Sequence, residues 1–340
     1  MLQETYISDE ELEQLLLDPH QPVVFLAPYG GGKTAARQYT QFRWQAAQKK
    51  TLIVEYTKEF ETVAESLPNC LLQDHIKPLL QAILTAVGQR FKEEPERYKH
   101  LYELDQIWWL RMFTAYAAGH INDLLNAHLE LAAFISESVA YQKFQSEPQQ
   151  QPFNKTISFA TMLKKMVQQC QHLGFDRVLI LVDEIDNYYQ NDEVDDMALM
   201  LKPLFRTMST YEHALWKFFV PDDLQSFIAS SAAKRKKAIV MQPIYWDQVR
   251  LKKMLRHLLM WASSEEIRSL NEIALDDQVL ALTDFDEALV ETTLNAKAFH
   301  KEIGIPRTLL HLGEMLIKTA EKQQHLITKA VWDEFLSQVT

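Results

Sequence analysis

The sequence predicts an α/β protein built on a parallel sheet of five strands. Five short apolar runs alternate with longer segments of helical spacing, and this alternation is typical of parallel sheets covered by helices. The runs lie at residues 22–28, 51–56, 177–182, 214–220 and 237–244. Glycine is scarce, with 8 residues in 340, whereas Leu, Ala, Gln, Glu and Lys are abundant. Most of the chain outside the five runs should therefore be helical.

Composition and charge favour a globular protein of the cytoplasm. Hydrophobic residues make up 47% of the chain and charged residues 24%. No apolar run is long enough to cross a bilayer, and the acidic N-terminal segment is unlike a secretory signal. Two cysteines, Cys70 and Cys170, cannot form a disulfide framework. The net charge of −11 argues against broad, non-specific binding of nucleic acid by a lone monomer.

The stretch VFLAPYGGGKTAARQ, residues 24–38, places three glycines in a row between a strand and a helical sequence. That order is typical of a phosphate-binding loop, because glycine lets successive amides point at an anion and the helix N-terminus adds its dipole. Lys33 would reach the β- and γ-phosphates, and Thr34 would coordinate Mg²⁺. A glycine turn that precedes Lys-Thr by chance is the alternative. The predicted nucleotide-binding residues are Tyr29, Gly30, Gly31, Gly32, Lys33, Thr34 and Ala35.

The stretch RVLILVDEIDNYY, residues 177–189, ends an apolar strand in two adjacent carboxylates. The continuous apolar run indicates a strand covered on both faces. Asp183 would hold Mg²⁺ through water, and Glu184 would act as the base that orients and deprotonates the attacking water. The alternative is a solvated acidic strand end, which the Lys-Thr loop upstream disfavours because the two motifs form a paired signature.

A long helical stretch separates the second strand from a helix predicted at residues 158–175. We interpret residues 75–150 as a helical insertion, because a crossover between parallel strands needs only a few tens of residues. Trp108 and Trp109 are predicted to pack into its core rather than to form a partner surface. After residue 250 no further strand is predicted, and the segment GIPRTLLHLGEML begins a helix near Pro306 and Arg307.

The loop A-P-Y-G-G-G-K-T, the strand end V-D-E-I-D and the segment G-I-P-R together resemble the AAA+ ATPases, and more narrowly their initiator-like and STAND branch. The resemblance covers about residues 20–60 and 155–340 and leaves the insertion unassigned. It implies a three-layer α/β/α P-loop NTPase core at residues 1–250 with strand order 5-1-4-3-2. It also implies a helical lid at residues 251–340 that closes over ATP.

The resemblance implies roles for two arginines. Arg307 matches the sensor-2 arginine, which reaches the γ-phosphate from the lid. Arg206 lies where the family often keeps an arginine finger, and a surface arginine at a helix end is the alternative. Both are candidate catalytic residues beside Glu184.

Three positions depart from the expected pattern or stand outside it. Ala27 replaces the first glycine of the phosphate loop, and Pro221 stands where the fourth strand usually ends in a polar sensor-1 residue. The second departure predicts slow turnover. Arg37, one helical turn beyond Lys33, is predicted to be solvated rather than catalytic.

The function predicted from these features is an ATP-binding and ATP-hydrolysing switch that uses Mg²⁺, self-associates, and assembles or remodels a protein partner in bacterial defence or signalling. A DNA-handling ATPase and a nucleotide-binding scaffold with little hydrolysis are the alternatives. The basic cluster KRKK, residues 234–237, could contact DNA, although a solvated loop is favoured. The histidines and cysteines show neither H-E-x-x-H nor C-x-x-C spacing, so zinc is not expected.

Overall fold

The chain forms an α/β protein with a five-stranded, all-parallel sheet. The computed structural model describes residues 10–58, 60–117, 129–146, 153, 157–188, 194–208, 214–232, 239–274, 284–296, 305–322 and 326–339. The strands are β1 (Val23–Leu26), β2 (Thr51–Tyr56), β3 (Arg177–Val182), β4 (Ala214–Val220) and β5 (Val240–Pro243). All five predicted strands are confirmed, although β1 and β5 are shorter than the apolar runs that indicated them.

The order of the strands is β2-β3-β4-β1-β5, which confirms the order implied by the resemblance. β1 pairs with β4 on one side and β5 on the other, so that Phe25 lies opposite Phe219 and Gln242. β3 lies between β2 and β4. Because the strands are parallel, their carboxyl ends meet at one edge of the sheet. The loops that follow β1 and β3 therefore carry both predicted motifs to that edge.

The sheet is covered on both faces, as its continuous apolar strands indicate. Every residue of β1 and β4 is buried. Val24 and Leu26 pack into a large core shared with the helices after β2, whereas Val23 and Phe25 face a smaller core on the opposite side. Burying each such side chain contributes roughly 1.5–3 kcal/mol. The central strands thus form a rigid support for the loops at their ends.

Helices precede, connect and follow the strands. Up to β3 they are α1 (Glu10–Leu17), α2 (Lys33–Ala47), α3 (Phe60–Ala64), α4 (Ile76–Glu93), α5 (Glu96–Lys99), α6 (Glu103–Tyr116), α7 (Leu129–Glu137), α8 (Val139–Ser146) and α9 (Phe159–His172). After β3 they are α10 (Val194–Phe205), α11 (Gln225–Ala232), α12 (Gln248–Ala262), α13 (Phe285–Asn295), α14 (Ile305–Glu321) and α15 (Lys329–Val339). None of the described helices is both long and apolar enough to cross a membrane.

The stretch between β2 and α9 is helical where it is described, and it packs on the main core. Trp109 is fully buried, and Trp108 is partly buried against the same core. The rings of Trp109 and Phe91 meet edge to face, with their centroids 6.2 Å apart. The prediction that these tryptophans are core residues is confirmed.

The helices after β5 bury a hydrophobic core of their own. Phe285, Leu312 and Phe335 are among its fully buried members. Within the described residues that follow β5, β pairing is limited to an isolated bridge between Ala274 and Ile327. The helical prediction for this region is confirmed where it can be compared, and Gly304 lies outside the described residues.

The N-terminal helix α1 is held by side chains from three other elements. Trp44 Nε1 donates to the carbonyl oxygen of Leu16 at 3.1 Å, and Lys217 Nζ donates to that of Leu15 at 2.5 Å. Arg177 Nη1 donates to the carbonyl oxygen of Pro19. The last carbonyls of a helix have no partner within the helix, so Trp44 and Lys217 satisfy groups that α1 itself leaves open, whereas Arg177 holds the segment that follows α1.

Candidate functional site

The three glycines after β1 occupy positions that other residues could not fill without strain. Gly30 has φ 73° and Gly32 has φ 93°, in the left-handed region that side chains disfavour. A Cβ on Gly31 would lie 2.9 Å from Ala27 Cβ and 2.9 Å from Pro28 Cδ. Three of the chain's few glycines therefore lie where the backbone turns tightly. Ala27, which departs from the expected first glycine, fits because Gly31 has no side chain.

The glycine loop ends in an open helix N-terminus with a buried lysine. Helix α2 begins at Lys33, and no side chain caps its N-terminus. The first-turn amides of an uncapped helix are available to an anion, which the helix dipole also attracts. Lys33 Nζ donates to the carbonyl oxygens of Ala27 and Pro28, both at 3.1 Å, and pairs with Asp186 Oδ2 at 3.0 Å. The lysine is thus held inside the loop by groups that an anionic ligand could replace.

The carboxylate pair after β3 lies beside this loop. Asp183 is 1% exposed, and its Oδ1 atom has no hydrogen-bond partner in the described part of the chain. Burial raises the pKa of Asp183 to about 6, although the Glu184 amide, Arg37 and the Thr34 hydroxyl act to lower it. A buried carboxylate oxygen without a partner is costly, and it fits a site for a cation or a metal-bound water.

Glu184 adopts a backbone conformation that is unusual for its residue type. Its φ is 65°, one of three positive values found at non-glycine residues in the described chain. Such conformations cost on the order of 1–3 kcal/mol and occur often at functional sites. The side chain of Glu184 remains 26% exposed and lines the cavity beside the loop. Glu184 therefore lines the cavity from a strained backbone position, whereas its neighbour Asp183 is buried.

Arg37 is buried, so the prediction that it is solvated is wrong. It is 4% exposed and pairs with one carboxylate on β2 and two that directly follow β3. Its Nε donates to Asp183 Oδ2 at 3.1 Å, its Nη2 to Glu184 Oε1 at 3.5 Å, and its Nη1 to Glu55 Oε2. One turn beyond Lys33, helix α2 faces the end of β3, and the local sequence gave no sign of this contact.

A cavity of about 250 Å³ lies between the glycine loop, the carboxylates and the C-terminal helices. Its polar lining includes Lys33, Thr34, Glu184 and Asp186. Its apolar lining includes Trp246, Met254, Leu258, Pro306 and Leu310. Of the seven predicted nucleotide-binding residues, the cavity is lined by all except Gly31. This combination of polar and apolar side chains suits an amphipathic ligand that carries an anionic group.

Two aromatic residues connect the loop with the C-terminal helices. Trp246 Nε1 donates to the carbonyl oxygen of Gly31 at 2.8 Å, and a Cβ on Gly32 would lie 3.3 Å from the Trp246 ring. The Arg307 guanidinium lies 4.7 Å from the centroid of the Tyr29 ring, within the range of a cation–π contact. The structure therefore brings Arg307 to the cavity from far along the chain.

The other predicted positions are Arg206, Pro221 and the basic cluster. Since β3 and β4 are parallel, α10 returns the chain to the amino ends of the strands, and the exposed Arg206 follows that helix there. A finger role for Arg206 would therefore have to serve a neighbouring copy, and it stays a prediction. Pro221 ends β4, and Asp222 beside it has a pKa raised by burial and by Asp223 but lowered by Lys33. The basic cluster at residues 234–237 lies outside the described residues.

The predicted metal residues Thr34 and Asp183 lie together but form an incomplete set. Among the described residues, no group of three or more His, Cys, Asp or Glu side chains is placed to hold a metal ion. The contact between the Thr34 hydroxyl and the Asp183 carboxylate, which lowers the pKa of Asp183, joins two of the expected ligands. Mg²⁺ usually takes only one or two protein carboxylates and completes its shell with water and phosphate. The set therefore fits a metal that arrives with a phosphate ligand.

No protein-family model, curated protein or solved structure matches this chain. The case for the site consequently rests on its own geometry. Local motifs indicated the loop and the carboxylate pair, but they missed Asp186, Arg37, Glu55 and Trp246. Asp186 could have been noticed as a further acid just beyond the Asp-Glu pair. The contacts of Arg37, Glu55 and Trp246 join distant parts of the chain and leave no local signal.

Proposed function

We propose that this protein is an ATP-binding and ATP-hydrolysing switch of the P-loop type, with its C-terminal helices acting as a lid. The proposal is carried by one observation: the glycine loop with Lys33 and Thr34 meets Asp183 and Glu184 at the same edge of a parallel sheet, and all of these residues except Asp183 line one cavity. Phosphoryl transfer needs little more from a protein than positioning and charge compensation, and these residue types supply both.

Binding of the phosphates would use the loop amides and Lys33. In the structure Lys33 pairs with Asp186, so a phosphate group would take the place of that carboxylate. The apolar side chains that line the cavity, which include Trp246 and Leu258, suit the flat, apolar faces of a nucleotide base. The same cavity thus offers contacts for both the phosphates and the base of a nucleotide.

The residues around the loop fit a magnesium ion. Thr34 would supply a hydroxyl ligand, and the unpartnered Oδ1 atom of Asp183 would accept from a metal-bound water. The ion, when bound, would neutralise charge that develops on the transferred phosphoryl group. Glu184 would accept a proton from the attacking water, a role for which its partly exposed carboxylate in the cavity is suited.

The switch would arise from Arg307. This arginine lines the cavity and stacks on Tyr29 of the loop, so a third phosphate would offer it a stronger, charge-assisted partner. ATP would then stabilise the closed arrangement of the C-terminal helices better than ADP does. Only such a difference in affinity can shift the population of protein molecules towards the closed conformation. In that conformation the protein would associate with further copies of itself or with a protein partner.

A nucleotide-binding scaffold with little hydrolysis is the second candidate. It is favoured by Pro221 at the end of β4, which offers no polar side chain, and by the engagement of Glu184 with Arg37. Both features act against the water-activating step rather than against binding. The two candidates therefore differ in turnover and not in affinity.

The decisive experiment combines calorimetry with a phosphate-release assay on Glu184→Gln. The variant should bind ATP with Mg²⁺ as the wild type does but hydrolyse it about a hundredfold more slowly, because an amide cannot take up the proton. Glu137→Gln, an exposed glutamate on α7, is the matched control and should behave as wild type. Wild-type turnover by Glu184→Gln would exclude Glu184 as the base, and no ATP binding by the wild type would exclude the proposed function. ATP binding without measurable turnover would favour the scaffold.

A further inference from the structure

Arg37 is a buried guanidinium in contact with three carboxylates. Nε and Nη2 donate to Asp183 and Glu184 at the end of β3, and Nη1 donates to Glu55 on β2. The Arg37 side chain is 5% exposed, and that of Asp183 is 1% exposed. Charges that are buried in this way need compensation by partners of opposite sign. In this part of the chain the guanidinium provides that compensation for three negative groups.

Glu55 holds the far side of the guanidinium. Its Oε2 atom accepts from Arg37 Nη1, and its Oε1 atom accepts from Gln41 Nε2 at 2.7 Å. Gln41 lies one helical turn beyond Arg37 on α2. Glu55 is 43% exposed and borders a second cavity of about 260 Å³ beside α4, so it is more accessible than the other two carboxylates. The arrangement leaves Arg37 anchored to β2 even when its contacts with β3 change.

We infer that Arg37 is the resident cation of the carboxylate cluster and excludes a divalent metal until a nucleotide is bound. A metal ion that approached Asp183 alone would be repelled by the guanidinium, whose Nε atom already binds Oδ2 of that carboxylate. Phosphate groups in the adjacent cavity would add the negative charge that makes such an exchange favourable. Arg37 would then couple metal binding to nucleotide binding without itself contacting the metal or the nucleotide.

This inference deepens the proposed function, on which it rests for the role of the nucleotide, and assigns Arg37 as a positioning residue. The absence of a ready metal site among the described residues fits it, because the carboxylates are arranged around a guanidinium. The remaining unpartnered atom, Asp183 Oδ1, points to the place that a metal-bound water would take once the charges rearrange.

The test measures Mn²⁺ binding to the full chain without nucleotide, by electron paramagnetic resonance. Arg37→Met should bind Mn²⁺ at least about tenfold more tightly than wild type, because the loss of the guanidinium leaves the carboxylates uncompensated. Arg37→Lys, which keeps the charge, should resemble wild type. Arg43→Met, on the same helix but paired with Glu13, is the matched control and should leave Mn²⁺ affinity unchanged. Adding Asp183→Asn to Arg37→Met should remove the gained binding.

Unchanged Mn²⁺ affinity in a folded Arg37→Met protein would overturn the inference. If that variant does not fold, the wild type still decides: tight Mn²⁺ binding without nucleotide that Asp183→Asn abolishes would overturn it as well. Weak Mn²⁺ binding by the wild type would support it if a non-hydrolysable ATP analogue tightens that binding at least tenfold beyond the analogue's own affinity for Mn²⁺. Calorimetry with ATP separates the two proposals: a protein that gains Mn²⁺ binding in Arg37→Met but never binds ATP would refute the proposed function and the nucleotide-dependent exchange, and would leave the exclusion of metal by Arg37 standing.

Discussion

Two lysines are buried beside the sheet, and their surroundings differ in kind. Lys33, 5% exposed, lies at the carboxyl edge of the sheet, where it pairs with Asp186 and lines the cavity. Lys217, 0% exposed, lies within β4 and donates to the carbonyl oxygen of Leu15. Its Nζ is 6.0 Å from the centroid of the Phe25 ring. One lysine faces a carboxylate and an open space, and the other faces a carbonyl and an aromatic ring.

The difference shows that burial of a charged residue does not by itself mark a functional site. Burial lowers the pKa of Lys217 to about 7, and the charge of Asp18 offsets this only in part. Lys217 can give up its proton and still donate a hydrogen bond to α1, so its position has a structural use. Lys33 is surrounded by the glycine loop, a carboxylate and a cavity, which together indicate a ligand.

If the two buried lysines differ in function, the largest effect on ATP affinity is expected for Lys33→Ala. ATP affinity should fall roughly ten- to a hundredfold, because the variant lacks a charge-assisted contact to the phosphates. Calorimetry with ATP and Mg²⁺ would measure the change, and Lys49→Ala, an exposed lysine before β2, serves as the control. Equal affinity in wild type and folded Lys33→Ala would show that the loop does not bind the phosphates.

A second, smaller effect concerns Lys217→Met and the pH dependence of stability. The folded pKa of Lys217 is lowered to about 7, so between that pH and the usual range of lysine the unfolded state binds more protons than the folded state. The free energy of unfolding of the wild type should therefore rise with pH above 7, by at most about 1.4 kcal/mol per pH unit from this group. The variant should lack that rise and bind ATP normally.

Urea unfolding of both proteins at pH 7, 8 and 9 would measure this difference. The comparison cancels other groups that titrate in the range, such as Cys170, whose pKa burial raises in both proteins. Parallel curves for wild type and Lys217→Met would show that Lys217 remains charged in the folded protein. A loss of ATP affinity in the variant would show that Lys217, like Lys33, affects nucleotide binding and has more than a structural role.

The smallest expected effect is that of Arg307→Ala. ATP affinity should fall about fivefold while ADP affinity changes little, because only the third phosphate would draw the guanidinium from Tyr29. Light scattering should show that an increase in mass with ATP, present in wild type, is lost. Arg268→Ala, an exposed arginine after α12, is the control. Equal losses for ATP and ADP would assign Arg307 to general binding rather than to the switch.

The sequence was informative where the chemistry is local. A strand, a glycine turn and Lys33 follow one another within a few residues, and so do a strand, Asp183 and Glu184, so the fold class and both motifs could be predicted. The sheet order was correct because it came with the resemblance and not from the apolar runs themselves. The strained φ of Glu184 could not be predicted, since its residue type gives no hint of it.

The contacts that join distant segments could not be predicted. Arg37 lies at a helical position that looked exposed, but its partner Glu55 lies on β2 and its partner Asp183 directly follows β3. Trp246 would be assigned to a core by composition alone, yet its indole donates to the glycine loop. In both cases the fold determines which distant group the polar atom of a large side chain contacts. The spacing of residues in the sequence does not indicate that partner.

The fastening of α1 has a consequence for the order of events during synthesis. The helix leaves the ribosome before β4 does, and the lysine that satisfies its Leu15 carbonyl lies 202 residues later in the chain. At roughly 5–20 residues per second, α1 must wait about 10–40 seconds for that donor to be made. The packing of α1 is thus completed only after most of the sheet has been made. Until β4 emerges, the core against which Leu12 and Leu16 of α1 pack is incomplete.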